Sequence, residues 1–101
     1  METNLNEVLF EFEDYCTNDI VSGKARSYRL AIKYLCDFLN ITYLDNNALE
    51  KIKNTSMVLQ DINSHTYLEC LKFLTKRGQS SYLLKGWINA SIIHFFAFIN
   101  Q

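Results

Sequence analysis

The chain contains no proline and only three glycines among its 101 residues. Proline and glycine are the residues that most often end helices and form the tight turns between strands. An all-β domain of this length needs many such turns, so their scarcity favours a helical protein. Apolar residues make up 49% of the chain, which excludes a disordered protein, and the length suits one domain with a single core.

Cysteine is also scarce and is poorly placed for chemistry. Cys16, Cys36 and Cys70 are far apart, and no two of them form a Cys-x-x-Cys pair. This spacing indicates neither a zinc site nor a redox dithiol. Each cysteine falls on or beside an apolar helical face, so we expect three small buried thiols, as in a reducing compartment.

Signals for secretion or membrane insertion are missing as well. The first four residues are polar and acidic, unlike a signal peptide. The apolar stretch 83–99 is interrupted by polar residues and a lysine, and it is too short to span a bilayer. We therefore expect a cytoplasmic protein that has no membrane partner.

The spacing of apolar residues predicts five helical segments. The first follows Asn4, a suitable N-cap with Glu7 three residues later as in a capping box, and ends near residues 17–18. The second covers residues 22–39 and has Asn40 as its left-handed C-cap.

The middle of the chain has a weaker pattern. We predict a short helix around residues 47–53, whereas residues 55–63 form either a short helix or an ordered loop. Either alternative carries four apolar side chains into the core, namely Met57, Val58, Leu59 and Ile62.

Two further helices complete the prediction. The fourth begins near residues 63–64 and ends at Arg77, before a glycine at Gly78 that suits the left-handed position after a helix. The last runs from residues 80–81 to about residue 100 and is apolar around most of its circumference, including a Trp87 that we expect to be mostly buried. The predicted fold is an all-α compact bundle of four main helices plus one short helix, SAM-like in type, with the last helix central.

The residue types that usually carry catalysis do not form a pattern in this sequence. His65 and His94 lie on different predicted helices, and neither belongs to a metal-ligand motif. The acidic residues of the first helix have no base nearby in the sequence, so we expect them to form a solvated face. Gly23 and Gly78 are single turn glycines rather than parts of a phosphate-binding loop. We therefore expect no metal, no cofactor and no enzymatic activity in this chain.

Charge is strongly segregated along the sequence. The first twenty residues contain six acidic residues and no base, whereas stretches 21–36 and 72–85 hold eight of the ten basic residues and no acid. The net charge of -1 conceals this distribution. Such segregation is typical of a phosphate-binding face in a protein that is not basic overall, although solvated helix faces that differ in sign by chance give the same pattern.

Each acid-free stretch contains a helix start with a glycine, serines, a tyrosine and bases, at residues 22–29 and 78–85. Free backbone N–H groups, the positive end of a helix dipole and Ser, Lys or Arg side chains together form a phosphate site. Ordinary N-capping explains the serines but not the missing acids. The predicted nucleic-acid-binding residues are Ser22, Lys24, Arg26, Ser27, Arg29, Lys33, Lys76, Arg77, Ser80, Ser81 and Lys85.

These helix starts also carry a family resemblance. The order of the segments resembles the SAM-like, core-binding helical domain at the N-terminus of tyrosine recombinases and phage integrases. In that family a Ser/Thr-rich helix start followed by Tyr opens one helix, as at residues 22–28 here. A later passage with Arg-Gly-x-Ser, here residues 77–80, leads into a helix that ends in aromatic residues, here residues 95–98.

The same residues are similar to the helical N-terminal region of some restriction endonucleases of the HNH or modification-dependent kind. Their Ser-Gly-Lys-Ala-x-Ser-Tyr helix start looks like residues 22–28. Their Ser-Tyr-x-x-Lys-Gly-x-x-x-Ala segment looks like residues 81–90.

Both resemblances imply a single helical domain over residues 1–101 that is the N-terminal module of a larger DNA-processing protein. The implied role is contact with the backbone of double-stranded DNA, with the chemistry in a separate catalytic domain. Because core-binding domains are often basic and this chain is slightly acidic, we expect its affinity in isolation to be weak. The alternative is a protein-interaction or dimerisation module of a phage-defence or mobile-element protein that uses the apolar last helix for self-association or a partner domain.

Overall fold

The structure is a computed structural model that describes residues 3–20 and 22–101. Within these residues the predicted all-α bundle is confirmed. The five α-helices are α1 (Leu5–Tyr15), α2 (Ala25–Phe38), α3 (Asn46–Val58), α4 (His65–Lys76) and α5 (Ile88–Ile99). Two very short strands, β1 (Thr3–Asn4) and β2 (Tyr43–Leu44), pair antiparallel and tie the start of α1 to the loop before α3.

Polar side chains cap the starts of α1 and α4. The Asn4 side chain accepts a hydrogen bond from the backbone N–H of Asn6, and the Ser64 hydroxyl accepts one from the N–H of Tyr67 at 3.1 Å. Both side chains thus satisfy a backbone donor that the helix itself leaves free. The Asn4 N-cap is confirmed, but its partner is Asn6 rather than Glu7, so the predicted capping box does not form.

Two helices end in left-handed residues, as predicted. Asn40 after α2 has φ 58° and Gly78 after α4 has φ 75°. Gly78 adopts this conformation without the steric conflict that a Cβ would bring, and Asn tolerates it better than most residues.

The first, second and last helices are less regular than the apolar spacing predicts. A π-helical turn (Cys16–Ile20) follows α1, and a 3₁₀ turn (Ser22–Lys24) precedes α2. The last helix begins at Ser81 and passes through a π-helical turn (Leu83–Trp87) before α5. Turns of this kind shift the faces of a helix and are frequent at functional sites.

The prediction for the middle of the chain is wrong in two respects. The helix expected at residues 47–53 is α3, which has 13 residues and is longer than α1. Of the four side chains assigned to the core, only Leu59 is buried, while Met57, Val58 and Ile62 are exposed. Only one side of α3 meets the rest of the bundle, so apolar residues near its end can remain in solvent.

The core lies between α2 and α5, with α1 covering both. The Phe12 ring of α1 meets the Phe95 ring of α5 edge to face, with 5.2 Å between the ring centroids. Helix α5 packs on α1, α2 and α3, as expected for a central last helix, and α2 shares that central position through its contacts with α1, α4 and α5. The largest fully buried apolar side chains are those of Phe12, Phe95, Ile32, Leu35, Ile52, Leu74 and Ile88.

The three cysteines are buried and free, as the sequence predicts. Burial raises the pKa of the thiols of Cys16 and Cys70 to about 11 and that of Cys36 to about 12. The negative charges of Glu13 and Asp37 add to this effect at Cys16 and Cys36. Because the thiolate is the reactive form, these side chains serve packing rather than chemistry.

Trp87 packs against the core and is mostly buried, as expected, whereas Leu68 on α4 is 48% exposed. In the described part of the chain, no helix has both the length and the hydropathy needed to cross a membrane.

Candidate nucleic-acid interface

The two acid-free stretches of the sequence lie side by side in the structure. At the end of α4, the Arg77 guanidinium lies 3.6 Å from the centroid of the Phe73 ring, and that ring packs on Phe38 near the end of α2. Farther along, Gln79 donates a hydrogen bond to the Tyr34 hydroxyl. Residues 77–79 therefore follow the second half of α2 in the antiparallel direction.

The contact between α2 and the segment that begins at residue 77 continues to the start of α2. The Trp87 ring meets the Tyr28 ring with 5.7 Å between centroids, and the Lys24 ammonium lies 5.8 Å from the Trp87 centroid. Residues 77–87 thus run beside α2 from its end to its start. We call the surface formed by residues 24–34 and residues 77–87 the paired surface.

The aromatic cluster at the Lys24 end is built in layers. Tyr28 is buried, and its ring contacts both Trp87 and His94, with the His94 ring centroid 5.1 Å away. Tyr82 meets the outer side of Trp87 at 6.5 Å and is 65% exposed. The cluster therefore leads from the core to solvent within a few residues of Lys24.

Gly86 shapes this cluster. A Cβ added to Gly86 would lie 3.2 Å from a carbon of the Tyr82 ring, closer than most Cβ contacts. The Tyr82 ring therefore lies close against the helix at residue 86, and a side chain there would push the ring outward. His94 is partly buried beside Tyr28 on an apolar helix face, and His65 is exposed at the start of α4.

The cations of the start of α2 differ in their surroundings. Lys24 and Arg26 are exposed, and no described carboxylate forms an ion pair with either of them. No described side chain caps the start of α2. Cations near a helix start are repelled by the positive end of the helix dipole. A bound anion would be attracted to both and would reduce this repulsion.

Arg29 and Lys33 are already paired within the chain. The Arg29 Nε donates to the Glu13 Oε1 on α1, and the Lys33 ammonium lies 3.2 Å from the Asp37 Oδ2. Arg29 is partly buried rather than fully on the surface. The expected solvated face is therefore wrong for Glu13, which pairs with Arg29 because folding brings α1 against α2.

Lys76 and Arg77 lie at the other end of the paired surface. They line a depression of about 450 Å³ together with Asp37, Glu69 and Lys72. Stretch 72–85 is therefore free of acids in the sequence but not in space. Since α2 has 14 residues, its two ends, and with them Lys24 and Arg77, are about 20 Å apart.

The remaining predicted residues are distributed along and beside the paired surface. Ser80 and Ser81 are exposed and Ser27 is partly buried. Lys85 is exposed on the far side of its helical turn from Trp87, where it lines a separate groove with Leu59 and Ile62. The side chain of Ser22 lies outside the described part of the chain. A single phosphate-binding surface made of all eleven residues stays a prediction.

The sequence places one tyrosine, Tyr28 or Tyr82, in each acid-free helix start, but it does not indicate that Trp87 joins them. The contact with α2 brings Trp87 beside Tyr28 and Lys24. Among the described residues, no group of three or more His, Cys, Asp or Glu side chains lies close enough together to hold a metal ion.

Comparison with protein-family models, with curated proteins and with solved structures gave no match to this chain.

Proposed function

We propose that this chain is a non-catalytic DNA-binding module that contacts the phosphate backbone through the paired surface and acts in the cytoplasm. A separate domain of the recombinase or restriction-endonuclease kind supplies the chemistry. The observation that carries the proposal is the antiparallel placement of residues 77–87 along α2, which unites the two acid-free stretches.

The dimensions of the paired surface suit a nucleic-acid strand. Its length of about 20 Å corresponds to about six base-pair steps of a duplex, measured along the helix axis at 3.4 Å each. Lys24 marks one end, Arg77 marks the other, and the hydroxyls of Ser80 and Ser81 are exposed between them. Lysine, arginine and serine side chains are common donors to phosphate oxygens, and such contacts position DNA without reading its sequence.

Arg77 is well prepared for this role. Stacking on Phe73 fixes the plane of its guanidinium while the edge remains able to donate hydrogen bonds. At the other end, a phosphate near Lys24 would also be stabilised by the free N–H groups in the first turn of α2. Each end of the paired surface therefore combines a positive charge with hydrogen-bond donors that are held in a fixed direction.

The test is the affinity for a fluorescent DNA duplex, measured by anisotropy at low salt. For about four phosphates neutralised, log affinity should fall with log salt at a slope near -3.6. Charge reversal in Lys24→Glu and Arg77→Glu should each weaken binding about tenfold or more and make this slope shallower by about 1. Lys53→Glu, a reversal of an exposed lysine on α3, is the matched control and should bind as the wild type does.

Two results would contradict the proposal. One is no measurable duplex binding by the wild type at low salt. The other is an equal loss of duplex affinity in Lys53→Glu and in Lys24→Glu. That result would show that affinity depends on net charge rather than on the paired surface. Sequence-dependent affinity is not expected.

A second candidate function is self-association, and a specific observation favours it. A groove of about 570 Å³ lies between α3 and α5, and its lining includes Met57, Ile93 and Phe96. Met57 is 62% exposed and Ile93 is 69% exposed. Apolar side chains clustered in a groove commonly mark an interaction site.

Charge complementarity favours a second copy of this chain as the occupant. Lys53 is the charged residue of the groove lining, and no acid lines it. The solvent face of α1 has the opposite character, because an exposed Phe10 lies between Glu7, Glu11 and Asp14, all exposed. Phe10 entering the groove of a neighbouring copy would place these carboxylates near Lys53. Such a head-to-tail contact forms open chains or rings rather than a closed two-fold dimer.

Sedimentation at rising protein concentration tests this second function. Assembly should grow with concentration, and Ile93→Asp or Phe10→Ala should abolish it. Lys53→Glu should weaken it, and Glu11→Lys in the same chain should restore it. A wild type that stays monomeric at every concentration would contradict self-association.

A further inference from the structure

We propose that Tyr82 and Trp87 form a stacking site for an unpaired nucleobase, so that the paired surface prefers DNA with unstacked or single-stranded bases over an intact duplex. This inference rests on the proposed DNA-binding function and names the kind of DNA that the same surface takes. It starts from the position of Tyr82, a large aromatic side chain of which 65% is exposed.

The Tyr82 ring is held in place on one side and open on the other. Three of its carbons lie within 3.5 Å of the position that a Cβ of Gly86 would occupy, so the ring rests on the helix at that residue. Trp87 contacts it at an interplanar angle of 71°. A ring supported in this way loses little freedom on binding, and its exposed face is open to a flat ligand.

Trp87 is itself fixed by the layers beneath it. Tyr28 packs against it at an interplanar angle of 68°, and Tyr28 is 5% exposed. The buried Tyr28 anchors the indole of Trp87. The pair of Tyr82 and Trp87 is therefore held by the core through Trp87 and exposed to solvent through Tyr82. An aromatic cluster that served only to pack the core would not need the exposed Tyr82 ring.

Lys24 completes the chemistry of the site. Its ammonium lies 5.8 Å from the Trp87 centroid, so a positive charge stands beside the aromatic rings. Proteins that bind single strands combine cations along the backbone with aromatic rings on which bases stack. A stacked base at Tyr82 would leave its phosphate within reach of Lys24. An intact duplex keeps its bases inside the helix, so it gains only the phosphate contacts.

The emission of Trp87 gives a direct measurement, because it is the one tryptophan of the chain. A short oligothymidylate should quench this emission, and an abasic oligonucleotide of the same length and charge should not. Loss of one stacked base corresponds to an affinity change of about 5- to 150-fold. Tyr82→Ala should therefore bind oligothymidylate at least about fivefold more weakly, while its affinity for duplex and for the abasic strand should change by less than about twofold.

Three variants separate stacking from simple loss of structure. Tyr82→Phe keeps the ring and should bind as the wild type does. Tyr43→Ala removes another exposed tyrosine, on β2, and should have no effect. Gly86→Ala adds a Cβ against the Tyr82 ring and should weaken binding of oligothymidylate alone. Thermal unfolding of each variant shows whether the fold is kept.

The possible failures can be distinguished. If Tyr82→Ala and the wild type bind oligothymidylate equally while Lys24→Glu loses duplex binding, the stacking site is wrong and the DNA-binding function stands. Equal quenching by the abasic strand would also overturn the stacking site. If the wild type binds neither strand nor duplex at low salt, both proposals are wrong.

Discussion

The side chain of Gln79 donates a hydrogen bond to the hydroxyl of Tyr34, with 3.1 Å between Nε2 and Oη. This bond joins the segment after α4 to the middle of α2, and so it connects the two acid-free stretches. Both groups are partly buried, so loss of one partner leaves the other incompletely satisfied.

Tyr34→Phe should therefore lower the free energy of unfolding by about 1 kcal/mol, because the Gln79 amide loses its acceptor. It should also weaken duplex binding modestly, since residues 77–81 are then held less firmly beside α2. Chemical denaturation measures the first effect. Tyr43→Phe is the matched control, because Tyr43 is half exposed on β2, and it should leave both properties unchanged.

Arg29→Glu should destabilise the protein by about 1–2 kcal/mol, because it places a carboxylate against Glu13 across the contact of α1 with α2. The double variant Arg29→Glu, Glu13→Arg should recover most of this loss by restoring the pair in reverse. Urea denaturation of the two single variants and the double variant gives the coupling energy. Independent losses that simply add would show that the ion pair contributes nothing.

Arg26→Glu offers a contrast on the same helix. Arg26 is exposed and no described carboxylate pairs with it, so its reversal should leave the free energy of unfolding within about 0.5 kcal/mol of the wild type. The Arg26 variant, rather than the Arg29 variant, is therefore suitable for measuring DNA affinity without a change in stability.

Phe12→Ala should lower the free energy of unfolding by about 3–5 kcal/mol, because it empties a fully buried position against Phe95 and Phe98. Phe10→Ala, two residues earlier on the exposed side of α1, should change it by less than about 1 kcal/mol. Similar losses for both would contradict the assignment of the two faces of α1. Trp87→Ala should fall between them, since Trp87 is not fully buried.

Tyr67→Phe should leave stability unchanged or increase it. The Tyr67 hydroxyl is buried and has no hydrogen-bond partner among the described residues. An unsatisfied buried polar group costs about 1–3 kcal/mol, and removing it relieves that cost. A loss of more than about 1 kcal/mol on this change would show that the hydroxyl has a partner.

The buried thiols should make the protein less stable in alkali. Burial raises the pKa of Cys16 and Cys70 from 9.0 to about 11, so the native state keeps protons that the unfolded state releases. Stability from these groups is complete below pH 9 and is lost progressively as the pH rises towards 11. The denaturant concentration at the unfolding midpoint should therefore decrease as the pH is raised from 9 to 11. The decrease should be smaller in Cys→Ala variants. Alkylation at pH 8 should be slow in the native protein and fast after unfolding.

Much of the local structure was predictable from the sequence because it depends on neighbouring residues. Asn4 and Ser64 cap their helices, and Asn40 and Gly78 are left-handed, since these roles require only the right residue type at a helix end. The buried stripe of α1 follows in the same way from apolar spacing. The length of α3 was not predictable, because polar residues 53–56 neither favour nor break a helix strongly.

Tertiary structure alone decided which charges and rings meet. Arg29 and Glu13 are 16 positions apart in the sequence, and nothing in the sequence indicates that one neutralises the other. The antiparallel course of residues 77–87 beside α2 has the same origin, because it depends on how α4 and α5 pack against the core. Most helices and their ends follow from interactions over a few residues, and the segregation of charge is a property of the sequence itself. Only in the folded chain does Lys24 lie beside Trp87 and Gln79 beside Tyr34, because contacts between distant segments form only when the apolar faces of the helices are buried together.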